Sequence, residues 1–203
     1  RPKSSAASDV YKRQDEMQEL KNELLTILSD TRLVVDDWKQ MVDKLKIVTD
    51  DLEKNKDRVS MKTDRLDETI EYLRWLGDHN FTFMGYKEYD LVSVNGDTEL
   101  QPVKEKGLGL FADDNRIRSI KLSELSDSAR LEAKKPYALI ITKGNQASRI
   151  HRPAYTDYIG VKKFDKNGKV IGEHRFTGLY TSAVYNQAVQ SIPLIREKVD
   201  RIL

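Results

Sequence analysis

The sequence predicts an α+β fold, in which a long N-terminal helical hairpin precedes a mainly antiparallel five-stranded sheet with a helix on one face. Two observations predict it. Apolar residues recur every seven positions between residues 17 and 52, which is typical of a long helix. Strand-like runs fill most of the sequence after residue 80, and two Asn-Gly pairs, which favour tight hairpin turns, separate neighbouring runs.

The long helix is predicted from two interleaved series of residues. One series is spaced by seven and the other lies three positions after it: Met17, Leu24, Thr31, Trp38, Leu45 and Leu52, then Leu20, Ile27, Val34, Met41 and Val48. Charged residues such as Asp36 and Lys44 fall between them, away from this seam. A seam of this kind serves either a dimerisation coiled coil or one arm of an intramolecular helical hairpin.

A second, shorter apolar stripe favours the intramolecular hairpin. Residues 53–57 interrupt the heptad pattern, and Gly77 can end the helix that follows. The stripe of that second helix is formed by Leu66, Ile70, Leu73 and Leu76. Because a short helix directly after a long one can fold back along it, we predict a helical hairpin over residues 15–77.

The first half of the sheet is predicted from alternation and from a turn. Residues 81–94 alternate aromatic and other side chains at period two, Asn95-Gly96 predicts a tight turn, and residues 98–103 predict the return strand. Pro102 indicates that this return strand lies at an edge or ends there.

A connecting region follows the first hairpin. Residues 107–111 form a short apolar run with two glycines, which predicts a strand or a tight crossing. Ser123 predicts the start of a helix that extends to about residue 134. Residues 138–142 are apolar and β-branched, as is typical of a strand in the middle of a sheet.

A second hairpin ends the sheet. Residues 156–164 and 169–179 flank Asn167-Gly168, so we expect them to pair antiparallel. Gly160 and Gly172 predict β-bulges, because the apolar residues of the first strand are spaced by three: Tyr158, Val161 and Phe164.

The second strand of this hairpin carries alternating charges. Glu173 and Arg175 share one face and His174 points to the other. A Glu-Arg pair on one face of a strand is typical of surface charge, so we expect this pair to be exposed.

Composition excludes several classes of protein. The chain has 203 residues and no cysteine, which excludes disulfides, thiolate metal sites and cysteine nucleophiles. Its 35 basic residues are balanced by 33 acidic ones, a pattern that argues against a nucleic-acid partner. No apolar run approaches the roughly 20 residues that cross a bilayer, and no signal-type segment is present, so we expect a cytoplasmic protein without membrane contact.

The sequence divides into four segments. Residues 1–14 are basic, rich in Ser and Ala and aperiodic, and we expect a non-native or disordered leader. Residues 15–77 form the helical hairpin and residues 78–190 the α+β domain. Residues 191–203 predict the start of a truncated helix that leads to a next domain, with Pro193 in its first turn. We therefore expect the chain to be a piece of a longer protein.

A series of sequence motifs spans essentially all of the chain after the leader. They are YLRWL at 72–76, HNFTFMGY at 79–86, GLG at 107–109, HRPAY at 151–155, DYIGV at 157–161, GLYTS at 178–182 and IPL at 192–194. In identity and order these motifs resemble the N-terminal region of the large bacterial NAD-specific glutamate dehydrogenases. DDWKQM at 36–41 resembles the segment that precedes this region in the family.

The resemblance implies more about the parent enzyme than about this chain. Family members deaminate L-glutamate oxidatively with NAD as the cofactor, in a catalytic region far toward the C-terminus. That region is missing here, so the resemblance implies no catalytic and no cofactor-binding residue in this chain. It implies PAS-like and ACT-like modules that regulate and assemble a homo-oligomeric enzyme, and a PAS-like module agrees with the predicted sheet.

One polar cluster is the candidate site. It consists of Arg149, His151, Arg152, Tyr155 and Asp157. His151 oriented by Asp157 could act as a base, but no paired carboxylate, nucleophile or second histidine at metal spacing accompanies it. The arginines can bind a carboxylate or phosphate. The alternatives are a contact with another domain of the parent, or a loop capped internally by Asp157.

These observations favour a non-catalytic regulatory and assembly fragment of a large NAD-dependent glutamate dehydrogenase, active in amino-acid catabolism. Its expected partners are the remaining domains of the parent enzyme, other copies in a homo-oligomer, and a possible small-molecule effector. Three alternatives remain. They are a sensor for an amino acid or anion, with a pocket lined by Phe83, Tyr86 and Tyr158; a coiled-coil assembly module; and an autonomous enzyme.

Overall fold

The computed structural model describes residues 5–60, 65–151 and 153–181. Its helices are α1 Ser5–Lys54, α2 Lys56–Ser60, α3 Leu66–Trp75 and α4 Asp127–Lys134. Its strands are β1 Phe81–Val94, β2 Asp97–Pro102, β3 Leu108–Gly109, β4 Ile120–Lys121, β5 Leu139–Ala147, β6 Tyr155–Phe164 and β7 Val170–Tyr180. A long helix followed by an antiparallel sheet confirms the predicted α+β class.

The structure describes part of the predicted leader, but none of the helix start predicted at the C-terminal end. Helix α1 begins at Ser5, within the leader 1–14, and whether that leader is native stays a prediction. The predicted helix start at 191–203 lies outside the described residues. The PAS-like assignment of the sheet also stays a prediction.

The sheet has seven strands where the sequence predicted five. Its order is β4-β2-β1-β7-β6-β5, with β3 paired to β1 beside this path, and the registered pairs are antiparallel. The additional strands β3 and β4 have two residues each. Strand β3 lies within residues 107–111, where the sequence predicted a strand or a tight crossing. Strand β4 was not predicted, because two residues cannot display a period-two pattern.

The two predicted hairpin turns are confirmed. Asn95 and Gly96 have φ angles of 51° and 83°, and Val94 pairs with Asp97, as in a type I′ turn. In the second hairpin Gly168 has a φ of 75°, and the Asp165 N–H donates to the Lys169 carbonyl at 2.9 Å. Both turns use residues that adopt positive φ at low cost.

The bulge predicted at Gly160 is wrong. Gly160 pairs in regular register with Arg175. The register shift lies beside Gly172, where a bulge was also predicted, because Lys163 pairs with Gly172 and Phe164 pairs with Val170. The prediction failed because Tyr158 and Val161 lie on opposite faces of the strand, so their spacing of three carries no information about register.

The helix predicted to begin at Ser123 begins later. Residues Leu122–Glu124 form a 3₁₀ turn, and α4 begins at Asp127. The Ser123 hydroxyl donates to the Asp97 carboxylate instead of capping the helix. The cap was misplaced because a serine can bond a carboxylate across the fold as readily as a backbone N–H of its own helix.

One hydrophobic core joins the helices to one face of the sheet. Helix α1 contributes Met41, Leu45, Val48 and Leu52, α3 contributes Leu66, Ile70, Tyr72 and Leu73, and the sheet contributes Phe81, Phe83, Tyr86, Leu139, Ile159, Val161 and Phe176. A polar contact fixes α1 nearby, because the Gly109 N–H donates to the Asp37 carboxylate at 2.8 Å. The helical hairpin and the sheet are therefore packed as one body.

The aromatic residues that the sensor alternative groups together lie on two faces. Tyr86, Phe176 and Ile159 follow one another across β1, β7 and β6, and all three lie in the helix-side core. Tyr158 precedes Ile159 in β6, so its side chain points to the opposite face. Phe83 and Tyr86 therefore do not share a pocket with Tyr158.

Candidate functional site

The loop between β5 and β6 carries most of the predicted cluster. Hydrogen bonds of Ser148 connect the two ends of this loop. The Ser148 N–H donates to the Ala154 carbonyl at 2.8 Å, and the Ser148 Oγ accepts from the Ile150 N–H at 3.2 Å. Ile150 packs against Met84 and Leu179 in a small second apolar cluster. Burial of Ile150 turns the residues on either side of it outward.

The predicted site residues occupy two different environments. Arg149, His151 and Tyr155 are exposed, and His151 has a φ of 70°, in the left-handed region. Arg152 lies outside the described residues. Asp157 is 3% exposed within β6 on the helix-facing side of the sheet, and its Oδ1 lies 2.6 Å from the Lys143 Nζ. The structure thus places Arg149 and His151 in one loop and Asp157 inside the sheet.

Beside this loop lies a cleft of about 820 Å³. Its lining residues come from α1, the segment after β3, the β5–β6 region, and strands β6 and β7: Asp30, Leu110, Phe111, Gly144, Ala147, Ser148, Arg149, Ile150, Thr156, Tyr158 and Thr177. The volume is typical of sites that hold a small molecule. Arg149 belongs to the predicted cluster, and Tyr158 was expected to line a pocket, whereas sequence reasoning missed Asp30, Ser148, Thr156 and Thr177.

The hydroxyl groups of the cleft are neutral hydrogen-bonding groups. The Tyr158 hydroxyl donates to the Glu173 carboxylate, and the Thr177 hydroxyl donates to the Asp157 carbonyl at 3.3 Å. Burial raises the pKa of the Tyr158 hydroxyl well above its usual range, and the nearby Glu173 carboxylate raises it further. None of the described lining residues is a histidine, so the arrangement suits binding of a polar molecule better than nucleophilic chemistry.

Tyr158, which lines the cleft, stacks on a cation that lies between two aromatic rings. The Arg175 Cζ lies 4.4 Å from the Tyr89 ring centre and 4.6 Å from the Tyr158 ring centre, and the Arg175 Nε donates to Glu173 at 3.2 Å. Gly160 leaves room for this cluster, because a Cβ there would lie 3.1 Å from the Glu173 Oε1.

The expectation that Glu173 and Arg175 are exposed is wrong. Their side chains are 6% and 15% exposed. The stack with the tyrosines buries them, and it depends on strand neighbours that are remote in sequence. The available signal was the glycine at position 160, which indicates close approach of another group.

The described part of the chain lacks both a metal-binding cluster and a membrane-spanning helix. No group of three His, Asp or Glu side chains converges as metal ligands within the described part of the chain. Among the helices that the structure describes, none combines the length and the apolar character needed to cross a membrane.

Comparison with known proteins finds related enzymes, among them three NAD-specific glutamate dehydrogenases. The chain is 33% identical over 196 residues to the NAD-specific glutamate dehydrogenase of Halomonas elongata, 35% identical over 192 residues to that of Pseudomonas aeruginosa, and 31% identical over 133 residues to that of Mycobacterium tuberculosis. These alignments cover 96%, 93% and 66% of this chain. No family model matches the chain.

These alignments cover a much smaller share of the relatives than of this chain. The chain spans 12% of the length of the Halomonas and Pseudomonas enzymes and 7% of the Mycobacterium enzyme. Alignment over nearly the whole chain at this identity confirms the resemblance carried by the sequence motifs. The chain therefore belongs to the NAD-specific glutamate dehydrogenase family and corresponds to a segment of those large enzymes.

Proposed function

We propose that this chain is a non-catalytic regulatory and assembly segment of a large NAD-dependent glutamate dehydrogenase. The parent enzyme converts L-glutamate, NAD and water to 2-oxoglutarate, ammonia and NADH in the cytoplasm. The observation that carries the proposal is the alignment of nearly the whole chain with about an eighth of its relatives. In this proposal NAD binds elsewhere in the parent, and the partners of the segment are the remaining domains and other copies of the enzyme.

The packing of the segment supports a scaffolding role. Its helices and sheet share one core. Two of its buried carboxylates form ion pairs within the chain, Asp157 with Lys143 and Glu173 with Arg175. Such a body can transmit a displacement at one surface to another because packed interiors deform little.

An activity assay tests the non-catalytic part of the proposal. The purified chain is mixed with L-glutamate and NAD, and NADH formation is followed by absorbance. We expect a rate equal to that of a mock purification from the same host. Glutamate-dependent NADH formation that stays with the chain through successive columns would overturn the proposal and establish the autonomous enzyme.

The cleft favours a second candidate function, a sensor for a small carboxylate such as an amino acid or another anion. Arg149 offers a guanidinium for a carboxylate, and Asp30 brings a negative charge to the same cleft. The hydroxyls of Thr156 and Thr177 are further polar groups for the body of the ligand. A ligand bound between the β5–β6 loop and α1 would contact both the sheet and the long helix.

Thermal unfolding in the presence of amino acids, 2-oxoacids and nucleotides tests the sensor function. A ligand at a hundred times its dissociation constant adds roughly 2.7 kcal/mol to the free energy of unfolding, which is a shift of several degrees. We expect the shift to disappear in Arg149→Ala and to persist in Arg118→Ala, which removes an exposed arginine outside the cleft lining. Equal loss in both variants would mean that the ligand binds by general charge attraction.

A further inference from the structure

A smaller cavity lies where the end of α1, the short helix α2 and the β6–β7 hairpin meet. Its volume is about 110 Å³. A water molecule occupies roughly 30 Å³ of the liquid, so the cavity has room for one small molecule of a few heavy atoms. Basic side chains outnumber acidic ones among the polar residues that line it: Asp51, Asn55, Arg58, Lys162, Lys163 and His174.

Arg58 on α2 carries a hydrogen-bond donor that the fold leaves unsatisfied. Within the described residues, the Arg58 Nε–H is buried and has no acceptor. Buried polar groups in folded proteins are nearly always paired with the protein itself, with ordered water or with a bound ion. The Arg58 guanidinium therefore indicates an acceptor that is not one of the described residues.

Two carboxylates in this region have partners other than the guanidinium. The Asp51 Oδ1 accepts from the side-chain amide of Asn55 at 3.0 Å. The Asp165 Oδ1 accepts two backbone N–H groups of its own turn at 2.8 Å and 2.9 Å. These backbone hydrogen bonds lower the pKa of Asp165 more than the charge of Arg58 does. An acceptor for Arg58 would thus come from outside the chain.

The two lysines of the lining are already bound. The Lys163 Nζ lies 2.6 Å from the Glu88 Oε1 and 2.7 Å from the Asp90 Oδ1. The Lys162 Nζ donates to the Lys135 carbonyl at 2.7 Å. We therefore assign neither lysine as a ligand, although both place positive charge at the edge of the cavity.

His174 provides a second donor, across the cavity on β7. Its Nδ1 lies 2.9 Å from the Tyr86 Oη. Burial lowers the pKa of His174 to about 4, so the ring is neutral at neutral pH. With the Tyr86 hydroxyl donating to Nδ1, the neutral imidazole carries its proton on Nε2. The ring then has an N–H donor on the edge away from Tyr86.

We propose that this cavity binds one small oxyanion, inorganic phosphate or a small carboxylate, between the Arg58 guanidinium and the His174 imidazole. A guanidinium can contact two oxygens of such a group through its planar fork, and an imidazole N–H can add a third hydrogen bond. The bound anion would connect α2, which lies between the two arms of the helical hairpin, to β7 in the sheet. The site goes beyond the proposed function and does not depend on a ligand in the cleft beside Arg149.

Proton NMR of the histidine rings tests the site, because the chain has three histidines. Inorganic phosphate is titrated into the full chain at pH 7 and constant ionic strength, and the His174 signal is identified by its absence in His174→Gln. We expect a saturable shift of this signal, whereas the signals of His79 and His151, which are exposed, should move little. The same titration with acetate distinguishes a carboxylate ligand from phosphate.

Substitutions of Arg58 assign the contact. Arg58→Gln should weaken phosphate binding roughly tenfold or more, because it removes both the charge and the fork. Arg58→Lys keeps the charge and should weaken binding less. Arg32→Gln is the matched control, because Arg32 is 84% exposed on α1 outside the cavity lining, and it should leave binding unchanged.

Each outcome supports or overturns the site. No shift of the His174 signal with either anion, or an equal shift with sodium chloride, overturns it and leaves the cavity to water. A shift kept in Arg58→Gln also overturns it, and its loss in Arg149→Gln would then assign the anion to the cleft. A saturable shift that is lost in Arg58→Gln and kept in Arg32→Gln supports the site, and circular dichroism of Arg58→Gln checks that the variant remains folded.

Discussion

The two halves of α1 share one heptad repeat and have opposite environments. In the second half Met41 and Leu45 are 0% and 2% exposed, whereas in the first half Leu20 and Leu24, at the matching positions of the repeat, are 57% and 52% exposed. The residue types and their spacing are alike in both halves. The difference teaches that the repeat specifies a helix, while the rest of the fold selects which part of its surface is buried.

The cause of the difference is the length of the returning helix. Helix α3 has 10 residues against the 50 of α1, so it can cover only the end from which it returns. Exposed ion pairs such as Arg74 with Glu53 and Lys56 with Asp67 lie at that end. Pairs of this kind contribute little, so apolar burial holds the hairpin together.

The largest expected effect is a difference between the two halves of α1 in the free energy of unfolding that is lost when a leucine is replaced by alanine. Leu45→Ala removes a buried side chain and should lower the free energy of unfolding by about 2–5 kcal/mol. Leu24→Ala should lower it by less than about 1 kcal/mol, because that residue contacts little of the described body. Urea denaturation of both variants measures the contrast. Equal losses at the two positions would contradict it.

The second half of α1, which is buried, also lies beside His174. Val48 and Leu52 line a cavity with His174, and the Tyr86 Oη lies 2.9 Å from the His174 Nδ1. Burial lowers the pKa of His174 to about 4, and the charges of Lys163, Lys44 and Lys106 lower it while Glu88 opposes them. The imidazole is therefore neutral at neutral pH.

A pH series of unfolding measurements should reveal this histidine. The unfolded state binds a proton near pH 6.5 and the folded state only near pH 4, so stability is lost as the pH falls between these values, by up to about 3 kcal/mol. We expect the decrease between pH 7 and pH 5 to be smaller in His174→Gln. The same slope in both proteins would show that His174 is not the group responsible.

The smallest expected effect is at the junction between the two halves, where Asp37 accepts the Gly109 N–H. Asp37→Ala leaves that donor without this acceptor and should lower stability by about 1–2 kcal/mol. Asp37→Asn keeps an acceptor oxygen and should lose less. Thermal unfolding compares the two variants, and an equal loss in both would mean that the charge of Asp37, not its hydrogen bond, matters.

The turns were predictable from sequence because their chemistry is local. Asn95-Gly96 requires two positive φ angles, and those residues adopt them regardless of the rest of the chain. The role of Gly160 was not predictable in this way, and the bulge predicted there is wrong. The glycine there accommodates Glu173 and Tyr158, and that need arises only after β6 and β7 have paired.

The candidate site was predictable only in part, for a similar reason. Arg149 belongs to a dense polar stretch and could be selected from sequence, and it lines the cleft. Asp30 and Thr177 line the same cleft from positions more than a hundred residues apart. Asp157 was grouped with Arg149 by its proximity in sequence, but strand alternation directs it into the sheet toward Lys143.

The sequence by itself determined the α+β class, the long helix and the hairpin turns, because periodicity and turn residues act over a few positions. The family relationship was also readable in its motifs and is confirmed by the relatives. Only the tertiary structure decided which stripe of α1 is covered, that Arg175 lies buried between two tyrosines, and that Arg149 faces a cleft. These outcomes depend on contacts between residues far apart in the chain, and burial is a property of such contacts rather than of any one segment.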